Sequence, residues 1–502
     1  MMRSRASRIV RSRSSGGVSL AAAVFLAVAV CAPVAGWAAP ARRPNVVLFF
    51  IDTLRAKQVH CLGYPRRTTD SLDAEAARGV LFERAIAPSG WSLPSYSSIF
   101  TSIPAPAHAA QEKSHVLDPA LTTLAEIFSA NGYRTGGFVA GGHLSAVFGL
   151  AKGFQVYRDR PHFGSFFHTV PEAAEWLAQK DERPFFVFLQ GYDAHAPYPA
   201  PLGFGDLYDP GYPGIVHTLS LMRDANQACL EGSVFHVPPG LQPEPDPFPP
   251  MPRWGPLSGL AAWLEQWRKP QPPARAPSGD VPFTPADAAH VVAHYDGAVT
   301  YADGWLGVFL ETLERMGHRQ DTLLVVAGDH GEEMGERGVF GHRRTLPDTQ
   351  IHVPVVLSGP GVARGRRVPD VVELTDLAPT LVDLCGIPPN QAHQGRSLRP
   401  YLDPAKDPGQ DLERVAFSAR GIVLSARTRR WHLLIEGETR QLFDLESDPN
   451  ELHDACGREP ATAERLAGKL HDWDERYHAE ARSGIPALTE EEKSLFRRHG
   501  YW

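Results

Sequence analysis

Four stretches of the chain are apolar at nearly every position: residues 44–51, 185–189, 322–327 and 353–357. Such continuous runs predict strands buried on both faces of a sheet, because a half-exposed strand alternates apolar and polar side chains instead. Apolar positions recur at helical spacing over residues 69–78, 121–131, 170–180, 286–316 and 376–384, and Asn131-Gly132 and Met316-Gly317 read as helix stops. Strands alternating with helices predict an α/β fold, layered α/β/α around a mostly parallel central sheet. In such sheets ligands bind at the carboxyl ends of the strands, so the polar residues just past each apolar run are the first place to look for chemistry.

Two segments break the alternation. Twenty of the 45 prolines fall between Pro197 and Pro285. Proline fixes φ and lacks an N–H, so this insert, about residues 199–285, is neither central sheet nor continuous helix. A long excursion of this kind in a compact domain predicts a cover beside the site. Leu260, Trp263, Leu264 and Trp267 suggest one short helix within it. After about residue 410 the pattern changes again. Residues 426–436 and 439–445 read as strands around Glu436-Gly437-Glu438, and residues 461–481 carry Leu466, Leu470, Trp473 and Tyr477 at helical spacing. The predicted organisation is a main α/β domain over residues 44–405 and a small C-terminal α+β subdomain over 410–502.

The first residues carry a different signal. Arg3, Arg5, Arg8, Arg11 and Arg13 precede an apolar run from Val18 to Ala35, followed by Gly36-Trp37-Ala38-Ala39. A basic region, an apolar core and small residues before a cut define a secretory signal peptide, here residues 1–38. The protein is then expected to be exported, periplasmic or secreted, with no stable membrane insertion. The alternative is an uncleaved anchor, since about 18 apolar residues is the lower limit for a span.

Export alters the charge balance. The full chain carries 50 Lys and Arg against 57 Asp and Glu, a formal −7; losing residues 1–38 removes five Arg and no acid and leaves −12. No basic excess remains to neutralise a phosphate backbone, which excludes nucleic acid as a partner class. An anionic ligand must be drawn in by local charge instead. With 43% hydrophobic and 21% charged residues, the chain is neither disordered nor a small disulfide scaffold. Cys61, Cys229, Cys385 and Cys456 have no metal-finger spacing and fix no disulfide pairing. Oligomeric state is not legible.

Ionisable residues stand just past three of the apolar runs: Asp52 after the first, Asp193-Ala194-His195 after the second and Asp329-His330-Gly331-Glu332-Glu333 after the third. Asp52 alone reads as a helix cap, and a single His as a structural residue. Two Asp and a His at neighbouring strand ends form a carboxylate-rich seat for a hard divalent cation. Ser92, in Trp91-Ser-Leu-Pro-Ser95, begins a predicted helix. It is either a plain N-cap or a nucleophile whose developing charge the helix dipole and a metal stabilise.

Together these residues carry a resemblance to the sulfatase family, within the alkaline phosphatase superfamily. The matching stretches include Pro44–Arg55, Gly63–Asp73, Trp91–Ser95, Ala194–Tyr198, Gly328–Gly335, Phe340-Gly-His342, Val353–Gly361, Thr375–Leu381 and Leu442–Glu451. The resemblance implies an alkaline-phosphatase-like fold and a hydrolase of sulfate or phosphate esters, small or polymeric. It implies Asp52, Asp329 and His330 as ligands of a divalent ion, Ca2+ first, with Mn2+, Mg2+ or Zn2+ as the other options. Ser92 matches the nucleophile, His195 the residue that contacts the ester or protonates the leaving group, and His342 a cationic or imidazole substrate contact. Arg343 and Arg344 beside it would add positive charge.

The departures from the family pattern shape the chemistry. Family nucleophiles become formylglycine within Cys/Ser-x-Pro-x-Arg, but Tyr96 stands in place of that Arg, which argues against conversion of Ser92. Thr53 stands where many relatives carry a further Asp ligand, and Lys57 where close relatives often carry another Asp. Three readings are open: a hydrolase of sulfate esters, a phosphodiesterase or phosphotransferase using unmodified Ser92, and a non-catalytic binder of anionic ligands. If the proline-rich insert covers the entrance, deleting residues 238–277 will alter substrate preference more than metal binding. A substrate profile identical to that of the full chain would contradict this placement.

Overall fold

The computed structural model describes residues 43–108, 110–159, 164–198, 203–205, 207–212, 234–237, 279–342, 344–403, 405–406, 409, 411, 413–479 and 487–498. The expected signal peptide and most of the proline-rich insert, with Cys229, Trp263 and Trp267, lie outside the described residues, as does Arg343.

The first apolar run forms β1 (Asn45–Ile51), and every residue of it is buried. Its residues alternate between two hydrophobic cores: Val46, Leu48 and Phe50 enter one, Val47, Phe49 and Ile51 the other. A strand covered on both faces needs apolar side chains at every position, which is why the run is continuous. The chain continues through β2 (Val80–Ile86), β3 (Arg134–Phe138), β4 (Val156–Arg158) and β5 (Phe185–Gly191). A short ribbon of β6 (Val234–Val237) and β7 (Gly279–Pro282) precedes β8 (Thr322–Gly328). A second ribbon, β9 (Glu333–Met334) and β10 (Phe340–Gly341), precedes β11 (His352–Ser358) and β12 (Arg366–Glu373).

Eight strands form the main sheet in the order β12-β2-β11-β8-β1-β5-β3-β4. The pairings are parallel except where β11 lies antiparallel to both β2 and β8. The fourth apolar run is therefore a buried strand as expected, but it runs against the sheet. One core is closed by helices Ser92–Thr101, Leu124–Ala130 and Leu377–Leu384, the other by Phe166–Leu177 and Pro285–Arg315. A four-stranded antiparallel meander, β13 (Ala416–Arg420), β14 (Val423–Arg427), β15 (Trp431–Glu436) and β16 (Thr439–Asp444), packs on helix Pro460–Ala479 through Leu433, Leu442, Leu466 and Leu470. The stretch expected as one strand over 426–436 is split between β14 and β15.

Tight backbone approaches explain several glycines. Gly297 lies within helix Pro285–Arg315, where a Cβ would sit 2.0 Å from the Phe204 carbonyl oxygen. Helix propensity alone favours Gly297→Ala by about 1 kcal/mol. The backbone contact overrides it, and we expect the substitution to destabilise the protein by about 1–3 kcal/mol in urea unfolding. A stabilised variant would show that this contact is not made.

Candidate active site

The three central strands β5, β1 and β8 are neighbours and run parallel. Their carboxyl ends therefore open side by side, bringing Asp193-Ala194-His195, Asp52 and Asp329-His330 to one place. Ligand atoms of Asp52, Asp329 and His330 all lie within 4.8 Å of one another, and all three residues are buried. Ser92 is the first residue of helix Ser92–Thr101, and the N-cap position is held by Trp91 instead. The Ser92 hydroxyl turns inward, with Oγ 3.4 Å from Asp52 Oδ2 and 3.3 Å from His330 Nε2. The N-cap reading of Ser92 thus gives way to a place in the cluster.

The donor set suits a cation. Asp52 Oδ1 and Asp329 Oδ2 are buried with no hydrogen-bond partner. His330 Nδ1 lies 2.9 Å from the Gly331 carbonyl, which can only accept, so Nδ1 carries the proton and Nε2 presents its lone pair to the cluster. Burial, then the neighbouring Asp329 charge, pushes the Asp52 carboxyl well above its usual range; burial likewise raises Asp329. Burial holds His330 well below its usual range. Two adjacent carboxylates in a dry site keep protons unless a cation replaces them.

Several residues fix this cluster. Thr53 adopts a left-handed φ of 57°, unusual for a β-branched residue and worth about 1–3 kcal/mol of strain. Three bonds hold it there. Its N–H donates to Asp329 Oδ1 at 3.2 Å, its hydroxyl to the Ala194 carbonyl at 2.8 Å, and its own carbonyl accepts from Tyr295 at 2.7 Å. Thr53 thus orients a ligand rather than acting as one. Gln190, the polar end of β5, donates to Asp52 Oδ2 at 3.1 Å. Arg55 donates to the Glu332 carbonyl at 2.7 Å and pairs with Glu336. A Cβ on Gly331 would lie 2.2 Å from the Thr349 carbonyl oxygen, so this glycine serves close packing. Lys57 turns away, to the Pro449 carbonyl and Asn450 Oδ1 at 2.8 Å each.

His195 and His342 complete the pocket, with ring centroids 5.1 Å apart; His342 lies 4.8 Å from His330. His195 Nδ1 donates to the Ala196 carbonyl at 2.7 Å, which makes Nε2 the basic nitrogen of the ring. His342 Nδ1 is 2.7 Å from Glu332 Oε1. Burial lowers His195 to about 4 and His342 to about 3, and raises Glu332 to about 7. Both imidazoles are therefore neutral at pH 7. Asp193 serves elsewhere: it accepts from the Phe166 N–H at 3.0 Å and from Ser165, at the start of helix Phe166–Leu177. Arg344 is spent on Glu112 at 3.0 Å and is 77% exposed. Sequence reasoning assigned no role to Gln190, Glu332 or Tyr295. Glu332 was visible inside the Asp329–Glu333 motif, and Gln190 as the polar break ending an apolar run.

The matches to known proteins agree with this geometry. Residues 44–387 match the family Sulfatase, and residues 335–476 match the family N-sulphoglucosamine sulphohydrolase, C-terminal. Arylsulfatase K of Homo sapiens is 25% identical over 501 residues, covering 90% of this chain and 86% of that protein. The fold is similar to the phosphonate monoester hydrolase of Agrobacterium radiobacter, with a TM-score of 0.64 at 20% identity over 87% of this chain and 96% of that one. It is similar also to a protein solved in complex with its substrate D-glucosamine-2-N,6-O-disulfate, with a TM-score of 0.65 at 18% identity over 87% and 98% of the two chains.

The raised carboxyl groups set a pH dependence. A cation that occupies the Asp52–Asp329–His330 seat must displace their protons, so its apparent affinity should rise as pH increases from about 5 to about 8. Calorimetric titration with Mn2+ or Ca2+ will read this, and Asp329→Asn should weaken binding by about 10–100-fold. An affinity independent of pH, or unchanged in Asp329→Asn, would contradict the seat.

Proposed function

Since the chain belongs to the sulfatase family, we propose that it is an exported, metal-dependent hydrolase of sulfate esters with Ser92 at the position of the nucleophile. The supporting observation is the set of buried ligand atoms of Asp52, Asp329 and His330 within 4.8 Å of one another. A divalent cation held there, Ca2+ by family or otherwise Mn2+, Mg2+ or Zn2+, would polarise the non-bridging oxygens of an ester and lower the pKa of the nucleophile. The helix N-terminus beneath Ser92 adds a smaller term of the same sign. His195 is placed to serve the leaving group. It is neutral at pH 7, so to act as the acid it would first take up a proton from water, an uptake that an arriving anionic ester favours, and then pass that proton to the departing oxygen. His342, held by Glu332, provides a polar contact for the ester.

Export fits the expected signal peptide at residues 1–38. Among the described residues no helix is long and apolar enough to cross a membrane.

One observation favours a second reading. Tyr96, at the position of the signature arginine, is a core residue whose ring lies 5.6 Å from those of both Phe50 and Phe188. A formylglycine hydrate attacks with one hydroxyl and expels sulfate by losing the proton of the other. A serine ester has no such route, and water must attack the transferred group itself, which suits phosphoryl transfer. An unmodified Ser92 makes the enzyme a phosphodiesterase or phosphotransferase on the same scaffold.

The mass of the peptide spanning Ser92, from protein made in its native host, separates the two: formylglycine is about two mass units lighter than serine. An unshifted mass selects the phosphorus reading. In either case Ser92→Ala should lower turnover of aryl sulfate or bis-aryl phosphate esters by at least about 10³-fold. Wild-type turnover in Ser92→Ala, or unchanged metal content and activity in Asp329→Ala, would refute the site.

A further inference from the structure

The net charge of the chain is negative, yet two cations that form no ion pair among the described residues stand at the edge of the pocket. Arg420 is the last residue of β13, where the meander turns back into β14 opposite Val423. Its Nη1 donates to the Gly90 carbonyl at 2.9 Å, and its guanidinium lies 5.9 Å from the centre of the Trp91 ring, the residue before Ser92. The far side of this wall is His143, whose ring meets Trp91 edge-on at 4.9 Å. Among the described residues no carboxylate forms an ion pair with Arg420. The Glu112 charge reaches Arg420, but that carboxylate is bonded to Arg344 at 3.0 Å, and a half-buried guanidinium without an ion pair of its own is costly unless an anion joins it. Burial, then the nearby Arg344 charge, lowers Arg420 to about 10 against the opposing Glu112 charge, so it still carries its proton at neutral pH.

The second cation reaches the same edge from another element. Gly421, next to Arg420, donates its N–H to Gln111 Oε1 at 3.1 Å. The adjoining loop is tied down by Arg344 on Glu112 at 3.0 Å and by the Leu488 N–H on the Ser114 carbonyl at 2.7 Å. Lys113, between these tethers, is exposed and makes no ion pair among the described residues. The positive charges of Arg420 and Lys113 both act on His342, and that of Lys113 acts also on His143. Arg344, by contrast, is ion-paired with Glu112.

We infer that Arg420 and Lys113 form a cationic rim that seats a second anionic group of the substrate, a carboxylate, sulfate or phosphate, apart from the ester held at Ser92. The inference rests on the proposed function. It narrows the substrate to molecules with at least two negative charges, and it makes the C-terminal meander part of the specificity pocket. Arg420 and Lys113 are specificity residues here, since neither touches the reacting atoms.

Calorimetric binding of non-hydrolysable probes tests this without turnover. Metal-loaded protein is titrated with ethanesulfonate and with ethane-, propane- and butane-α,ω-disulfonates, which differ by one added anionic group. The expected result is that the best disulfonate binds at least about tenfold more tightly than the monosulfonate. Arg420→Gln and Lys113→Gln should each remove most of that preference, Arg420→Lys should retain part of it, and monosulfonate affinity and thermal midpoints should stay as in the parent. A parent preference no larger than the statistical factor of about two, or one that survives in the double variant, overturns the inference. So does an equal loss of monosulfonate binding in Arg420→Gln, which would place that arginine in the ester seat. Absence of ester hydrolysis would count against the proposed function and leave this test untouched.

Discussion

Asp52 and Asp329 are both fully buried, and each leaves one carboxylate oxygen without a partner. Two like charges brought together away from water are untenable unless a proton or a cation neutralises them. Much of the surrounding structure can be understood as holding this unfavourable pair in place. Three parallel strands packed in two cores fix the backbone at the ends from which both carboxylates project. Thr53 is held in a strained conformation by three hydrogen bonds, one of them to Asp329 itself. Ser95 donates to the Asp329 carbonyl at 2.6 Å and ties the helix that begins at Ser92 to the same strand end. A site this preorganised gains most when a divalent ion enters it, because the cost of assembly has already been met by the core.

The neutral histidines complete this electrostatic arrangement. His330 is buried and His195 and His342 are half-buried, and the tautomers of His330 and His195 are set by backbone carbonyls rather than by chance. Lone pairs therefore face the pocket where a cation or a proton is wanted. On the proposed function, the positive charge that an anionic ester needs is kept off the imidazoles and would come from a cation held by Asp52, Asp329 and His330 and from Arg420 and Lys113 at the edge. This separation matters in a chain whose formal net charge is −7, and −12 once residues 1–38 are removed as the proposed signal peptide, because its long-range field repels anions.

The central part of this picture was legible in the sequence because it is governed by continuous apolar runs and by the polar residues at their ends. β1, β5 and β8 are buried on both faces, so their runs are unbroken, and Asp52, His195 and Asp329-His330 stand at the breaks. Strands with weaker patterns were not visible. β3 reads Arg-Thr-Gly-Gly-Phe, and at Gly137 a Cβ would meet the Tyr157 ring at 2.4 Å, so the sheet there is filled by neighbouring aromatics rather than by its own side chains. The direction of β11 could not be read, since a buried antiparallel strand has the same composition as a parallel one. Arg420 and Lys113 lie in a turn and a loop with no motif, and only the tertiary fold carries them to the pocket. Thr53 and Lys57 were recognised as departures, but that one orients Asp329 and the other leaves the site altogether was a matter of backbone geometry.

The central claim is that Asp52, Asp329 and His330 form one metal seat beside Ser92. Its most direct test is anomalous scattering at the manganese edge from crystals of the Mn2+-loaded protein. The account predicts a single strong peak bounded by Asp52, Asp329 and His330 and adjacent to Ser92 Oγ. No peak there at saturating Mn2+, or a peak only at another cluster, would contradict it.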